Sequence, residues 1–240
     1  CEMEISEENL TLYSVFYEES LYKLQNGVLN IVKNLNVPFY LTGGTALSRG
    51  YYNHRYSDDL DFFLNHDSNF DSYVSSVLEE LKTKGFYWSN EIGFVKSMDF
   101  YSLIVQHSDF CTKLKLDFVN DIVAHFGDIQ NTDVYYRTDS IRNILSNKIT
   151  AIFRMSAKDV VDIREICIHE KFDWNEIFTE VREKELGIEP LEVVEILKGI
   201  PKTAFNSIKW IQTTDYETFM CDIEIIARDM LGLTFNSLVK

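Results

Sequence analysis

The segment "SDDLDFFL", Ser57 to Leu64, constrains the fold more than any other stretch of the chain. In an extended strand successive side chains point to opposite faces, so Ser57, Asp59 and Asp61 share one side while Asp58, Leu60 and Phe62 share the other. One face is apolar enough to be buried, and the other sets two carboxylates side by side. Carboxylates held that close repel, and the repulsion is tolerated where a cation lies between them; a hard divalent ion with oxygen ligands is the natural one. The competing reading is a solvated edge strand whose charges discourage aggregation. Leu60, Phe62, Phe63 and Leu64 weigh against it, because an exposed edge seldom carries so much apolar surface.

Just upstream, "VPFYL" reads as a buried strand and "TALSRGYY" as a helix, which places Gly43 and Gly44 at a strand-to-helix turn. Glycines belong there when the backbone needs positive φ or close approach to a ligand. Such a turn aims unpaired N–H groups and the positive helix end at an anion, most often phosphate. A plain turn explains a diglycine as well. A third acid comes from "KLKLDFVND", where Lys113, Lys115 and Asp117 fall on one strand face and Leu114, Leu116 and Phe118 on the other. Beside "DLDFF", Asp117 reaches the same ion as Asp59 and Asp61; alone, it merely ends a strand.

A chain of 240 residues with 45% hydrophobic and 14% aromatic content can build one large domain or two small ones with real cores. No run approaches the ~18 uninterrupted apolar residues of a membrane span, and the start "CEMEISEENL" is acidic where a secretory signal is basic and then apolar. The expectation is a cytoplasmic protein without a membrane partner. Cys1, Cys111, Cys167 and Cys221 are scattered without a CxxC or Cys/His cluster, so they read as reduced. The net charge of -15 argues against a surface that embraces nucleic acid everywhere, and leaves room for a local basic patch.

Helical periodicity runs through the first ~35 residues, with Leu10, Val15, Leu21, Leu24 and Val28 on one stripe. Strands are expected at "DLDFFL", "FVKSMDFYSLIVQH" and "TKLKLDFV", and between them "NFDSYVSSVLEELKTKGF" is an amphipathic helix stopped at Gly85. After residue 136 the strand signals cease. Helices follow, capped by Asp139 or Ser140, by Ser156 with Asp159 in a capping box, and by Asp173 with Glu176 before a stop at Gly187; two more run through "EPLEVVEILKG" and "DYETFMCDIEIIARDML". The expected fold is α/β (α+β): a core domain over residues 1–136, with a mixed sheet flanked by helices, then a helical bundle over 137–240 completing a shared cleft.

In order along the chain, "GGTALS", "HRYSDDLDFF", "LKLDFV" and "KITAIFRMSAKDVVDI" resemble the AbiEii/AbiGii-type toxin nucleotidyltransferases, within the polymerase-β-like nucleotidyltransferase superfamily. The motifs span residues 41–163, about half the chain. The resemblance implies that Gly43, Gly44 and Thr45 cradle nucleotide phosphates, that Asp59 and Asp61 bind metal, and that Asp117 is the third acid, activating the acceptor. It implies Ser57 and Arg55 beside them, Lys148 on the triphosphate and Asp159 lining the nucleotide pocket. The extra acid Asp58 has leucine two places on, so alternation favours Asp59 and Asp61 as the metal pair.

On one unbroken helix Lys148 and Asp159 would stand roughly 16 Å apart; a break after Arg154, at the Ser156 cap, brings them together. Arg154, Lys158 and Lys148 then give positive charge for a triphosphate; the competing reading for Lys148 and Arg154 is a solvated helix face. The implied reaction moves a nucleoside monophosphate from an NTP to an acceptor hydroxyl with Mg²⁺ or Mn²⁺. The implied setting is a bacterial toxin–antitoxin pair, with tRNA or another RNA as acceptor and a cognate antitoxin as partner. Arg49, Arg55, Lys113, Lys115, Arg154 and Lys158 are the candidate acceptor or phosphate contacts. A protein or small-molecule acceptor, and a catalytically silent nucleotide-binding module, are the alternatives.

Overall fold

Leu24, Val28, Ile31 and Val32 form the buried stripe of the first long helix, α1 (Tyr22–Asn34), in a computed structural model that describes residues 13–239. A π-helical turn, Tyr17–Leu21, leads into it. Of the expected stripe, Leu10 lies outside the described residues, and Val15 is exposed rather than in the core. Cys1 also lies outside; Cys111, Cys167 and Cys221 are free thiols.

The chain divides into two units, residues 1–122 with 129–139 and residues 123–128 with 140–240. In the first, β1 (Tyr40–Thr42) runs into a short helix α2 (Gly43–Thr45), which continues as a π-helical stretch, Ala46–Tyr52, and stops at a left-handed Asn53. Then come β2 (Leu60–Asn65), α3 (Phe70–Thr83), β3 (Phe86–Tyr87), β4 (Val95–Lys96), β5 (Phe100–His107) and β6 (Phe110–Asp121). Gly85 follows α3 with φ of +87°, a conformation glycine adopts without a Cβ penalty. The stretch expected as one long strand from Phe94 is broken at Ser97–Asp99, so that β4 folds back onto β5.

The sheet order is β1-β2-β6-β5-β3, with β4 also on β5. The sheet is mixed: β2 and β6 are parallel and every other pair is antiparallel. Leu60, Phe62 and Leu64 alternate into the core, as do Leu114, Leu116 and Phe118, and Phe62 stacks on Phe118 at 5.4 Å. The outer edge of β1 is covered by the returning segment, where Leu41 exchanges backbone hydrogen bonds of 2.8 Å with Arg137 and Asp139. Covering removes an edge that would otherwise template pairing.

The second unit is helical: α4 (Ile141–Thr150), a 3₁₀ turn Ala151–Arg154, α5 (Ala157–His169), α6 (Trp174–Lys184), α7 (Pro190–Lys198), α8 (Lys202–Asn206) and α9 (Tyr216–Leu231). Ser140 caps α4 by accepting from the Asn143 N–H at 3.0 Å, and Asp173 caps α6 by accepting from the Asn175 N–H at 2.7 Å. Ser156 stands at the start of α5 in extended conformation, but its hydroxyl makes no cap and no capping box forms, because the Asp159 side chain turns elsewhere. Trp174, Phe178, Val193, Phe219 and Ile223 make the centre of this unit. Among the described residues no helix is long and apolar enough to cross a membrane.

Candidate active site

Pairing register aligns four polar residues across the sheet. Thr42 on β1 is opposite Asp61 on β2, Asp61 is opposite Asp117 on β6, and Asp117 is opposite Ser102 on β5. Directly paired side chains on one face lie ~4.5–5.5 Å apart at Cβ, so Asp61 and Asp117 are neighbours. Each row member outside the acid pair engages a carboxylate. The Ser102 hydroxyl donates to Asp117 Oδ1 at 2.6 Å, and the Thr42 hydroxyl donates to the fully buried Asp139.

Gly43 has φ of +70°, and a Cβ built on it would collide with the Asp61 carboxylate. Glycine is therefore required twice here, by its backbone and by the acid beside it. Ala at this position is expected to cost about 1–3 kcal/mol and to push Asp61 out of line; chemical denaturation of Gly43→Ala beside wild type measures it, and an unchanged midpoint would contradict the geometry. At Gly44 a Cβ would sit 2.7 Å from Arg55 Nη2 and 3.1 Å from Ser57 Oγ. The diglycine thus admits the side chains of the "RYSDDLD" segment close to the turn.

Several side chains with expected nucleotide or acceptor roles are engaged within the unit. The Thr45 hydroxyl is buried, 2.9 Å from the Ser57 hydroxyl, and donates to the Asp59 carbonyl. Arg55 is buried and donates to the Tyr56 carbonyl at 3.0 Å. Arg49 donates to Gln25 at 2.8 Å and Asn26 at 2.7 Å, and its guanidinium lies 4.2 Å from the Tyr22 ring centre. Burial pulls the Arg49 pKa down. That is the setting of an arginine clamping α1 to the π-helical stretch, so a substitution there acts on the fold before it acts on an acceptor.

Asp58 is separated from the acid pair by its own partner. Its carboxylate accepts from the buried Tyr17 hydroxyl, and Tyr17 stacks on Tyr56 at 4.3 Å. Asp61 is the acid of this segment that stands opposite Asp117 in the sheet. Lys115, two residues before Asp117 on the same strand face, places its ammonium 2.5 Å from Asp117 Oδ2. Burial lowers the Lys115 pKa, but hydrogen bonding and charge from Asp117, with further charge from Asp59 and Asp61, outweigh it and leave the group raised. All three carboxylates therefore act on one lysine. Lys113 is exposed on the same face.

In the helical unit the backbone breaks after Arg154, where Met155 adopts φ of +54°. The break brings Lys148 Nζ to 2.8 Å from Asp159 Oδ1 and 2.6 Å from Asp162 Oδ2. Arg154 grips the same Asp159, with Nε 2.5 Å from Oδ2 and Nη2 2.7 Å from Oδ1. Lys148 is 6% exposed, which replaces the solvated-face reading of that residue with a buried ion cluster. Burial would raise the Asp159 pKa, yet Arg154 and Lys148 together hold it below the usual carboxylate value. Arg154 keeps 60% of its side chain in solvent, and Lys158 is exposed. Asp162 was not singled out from sequence; its spacing three residues after Asp159 on one helix was the available signal.

Three carboxylates with no nitrogen or sulfur donors suit Mg²⁺ or Mn²⁺ rather than zinc. Among the described residues no three ligating side chains converge at metal-binding geometry, and the Asp117 oxygens are held by Ser102 and Lys115.

Comparison with known proteins bears on the fold and the family. The crystal structure of JHP933 from Helicobacter pylori superposes with a TM-score of 0.55 at 19% identity, over 95% of this chain and 94% of that one. A Helicobacter pylori protein assigned as a nucleotidyltransferase superposes with a TM-score of 0.57 at 22% identity, over 90% and 96%. At these identities the likeness concerns the fold. No curated protein matches the chain. The model of the family described as "Nucleotidyl transferase AbiEii toxin, Type IV TA system" matches residues 31–193, which include every motif from the diglycine turn to Asp162. The chain accordingly belongs to the AbiEii nucleotidyltransferase family, and its chemistry is nucleotidyl transfer.

Proposed function

We propose that the protein transfers a nucleoside monophosphate from an NTP to a hydroxyl of RNA, tRNA being the first candidate, as the toxin of a toxin–antitoxin pair held in check by a cognate antitoxin protein. The observation that carries this reading is the register pairing of Asp61 with Asp117 beside a glycine that makes room for the acid. Asp59, Asp61 and Asp117 would hold Mg²⁺, which when bound neutralises phosphate charge and lowers the acceptor hydroxyl's pKa. Asp117, oriented by Ser102, takes the proton of the acceptor hydroxyl. That oxygen forms a bond to the α-phosphorus, the bond to the bridging oxygen breaks, and pyrophosphate leaves. The Gly43–Gly44–Thr45 backbone is assigned to the phosphates, and Arg154, oriented by Asp159 and largely in solvent, is the helical unit's candidate phosphate contact, while Lys148 is held between Asp159 and Asp162.

The test is incubation of the purified chain with labelled NTPs, Mg²⁺ and total RNA, followed by location of the label. Label in an RNA band is the expected result. Transfer to RNA should fall steeply with added monovalent salt, because each phosphate contact releases counterions, and more so for a protein of charge -15 that can hold RNA only through a confined basic lining. A flat salt response would point to a small neutral acceptor. Absence of transfer to RNA, protein and small molecules alike would leave a silent nucleotide-binding module.

A further inference from the structure

The Lys115 ammonium occupies the position that a cation would take against Asp117. It lies 2.5 Å from Asp117 Oδ2 and on the strand face that carries the acid pair. Its other environment is sparse, with 44% of the side chain in solvent against 14% for Asp117. A long flexible lysine is an uneconomical way to tie down a strand that the sheet already fixes on both sides, since exposed ion pairs contribute little to folding. What the contact does change is the charge next to the carboxylates. Asp61 and Asp117 face each other as like charges in neighbouring strands, and Lys115 sets a positive charge directly against Asp117.

We propose that Lys115 is a resident counter-ion of the acid cluster, which holds Asp117 through its ammonium and competes with the divalent cation for the same carboxylate, thereby setting the metal affinity of the site. This rests on the reading of Asp59, Asp61 and Asp117 as metal-binding acids. Metal entry requires the ammonium to swing away, which its solvent-exposed stem permits. Lys115 is then a positioning residue, acting on metal and hydroxyl through Asp117, and is not a contact for acceptor phosphate. Its removal has two opposed consequences: the acids lose a partner, and the divalent ion loses a competitor.

The experiment is direct binding of Mn²⁺, without nucleotide, to the full chain and to Lys115→Met and Lys115→Arg, by titration calorimetry and by the loss of free Mn²⁺ signal in electron paramagnetic resonance. Lys115→Met is expected to bind Mn²⁺ about tenfold tighter than wild type, the scale of one charge-assisted contact. Lys115→Arg, which keeps the charge, should stay near wild type. Thermal melts without metal check that each variant is folded, and Mn²⁺ should raise the melting temperature of Lys115→Met more than that of wild type. Equal or weaker Mn²⁺ binding by folded Lys115→Met overturns the competition while leaving the metal reading in place. Failure of both wild type and Lys115→Met to bind Mn²⁺ overturns the metal reading and this inference with it.

Discussion

Lys148→Ala is expected to lose about 3–5 kcal/mol of stability at neutral pH, the scale of breaking a buried ion pair by removing one partner. The lysine stands between Asp159 and Asp162, both fully buried, so alanine leaves two carboxylates with Arg154 as the remaining cation against Asp159. A small domain can unfold on a loss of this size. The sign of the pH dependence follows. In the wild type the folded Asp159 pKa is depressed, so its contribution is present above the unfolded value of about 3.9 and is lost as pH falls below it. In the variant both acids lose the lysine's charge and favour protonation more than in the wild type, and the strain is relieved by acid. The gap between the two proteins should be widest at neutral pH, narrow as the pH falls toward ~4 and close only below it, where the depressed Asp159 also protonates. Urea denaturation of both proteins across that range measures the gap; one that stays constant with pH would show that Lys148 acts by packing alone. NTP binding is interpretable only for variant protein shown to be folded, for which Lys148→Met, nearer in volume, is the companion.

Asp61→Asn should behave in the opposite way, reducing nucleotidyl transfer by at least about 10³-fold while leaving the fold intact. The amide keeps the volume beside Gly43 and removes a negative charge directly opposite Asp117. Like charges paired across neighbouring strands destabilise, so the melting temperature without metal should stay level or rise. Transfer assays and melts on the same samples decide the matter. Full activity in Asp61→Asn would remove this residue from the chemistry, and a large drop in melting temperature would recast the acid as a structural residue.

Much of the site was readable because strand alternation is a strict two-residue rule. It placed Asp61 opposite the apolar face of Leu60 and Phe62, and Asp117 opposite that of Leu116 and Phe118, so one assumption of adjacency brought the acids together. The meeting of Lys148 and Asp159 was legible for a similar reason: a helix too long for the contact had to break, and it breaks at Met155. The device at the break was misread, since Ser156 caps nothing and Asp159 serves the ion cluster. Partners set by tertiary pairing left no local trace. Tyr17 claims Asp58 from 41 residues away, Asp139 accepts from Thr42 across 97, and Ser102 meets Asp117 only because β5 and β6 pair in that register. The basic residues were the least legible, because a list of arginines and lysines says nothing of which are consumed; Arg49 belongs to α1 and Lys115 to Asp117.

The parallel pairing of β2 with β6 has a consequence for the birth of the protein. Strands that run parallel cannot be joined by a tight hairpin, and here the link between Asn65 and Phe110 contains α3, β3, β4 and β5. Closing so long a loop carries an entropic penalty that is repaid only when the far strand docks. A nascent chain that has emerged as far as β2 carries Asp59 and Asp61 without Asp117, and the final acid arrives with the strand that finishes the sheet's centre. Assembly of the acid cluster is thus coupled to completion of the core, and a fragment interrupted before Asp117 holds two of the three acids and lacks the strand that would pair the third with them.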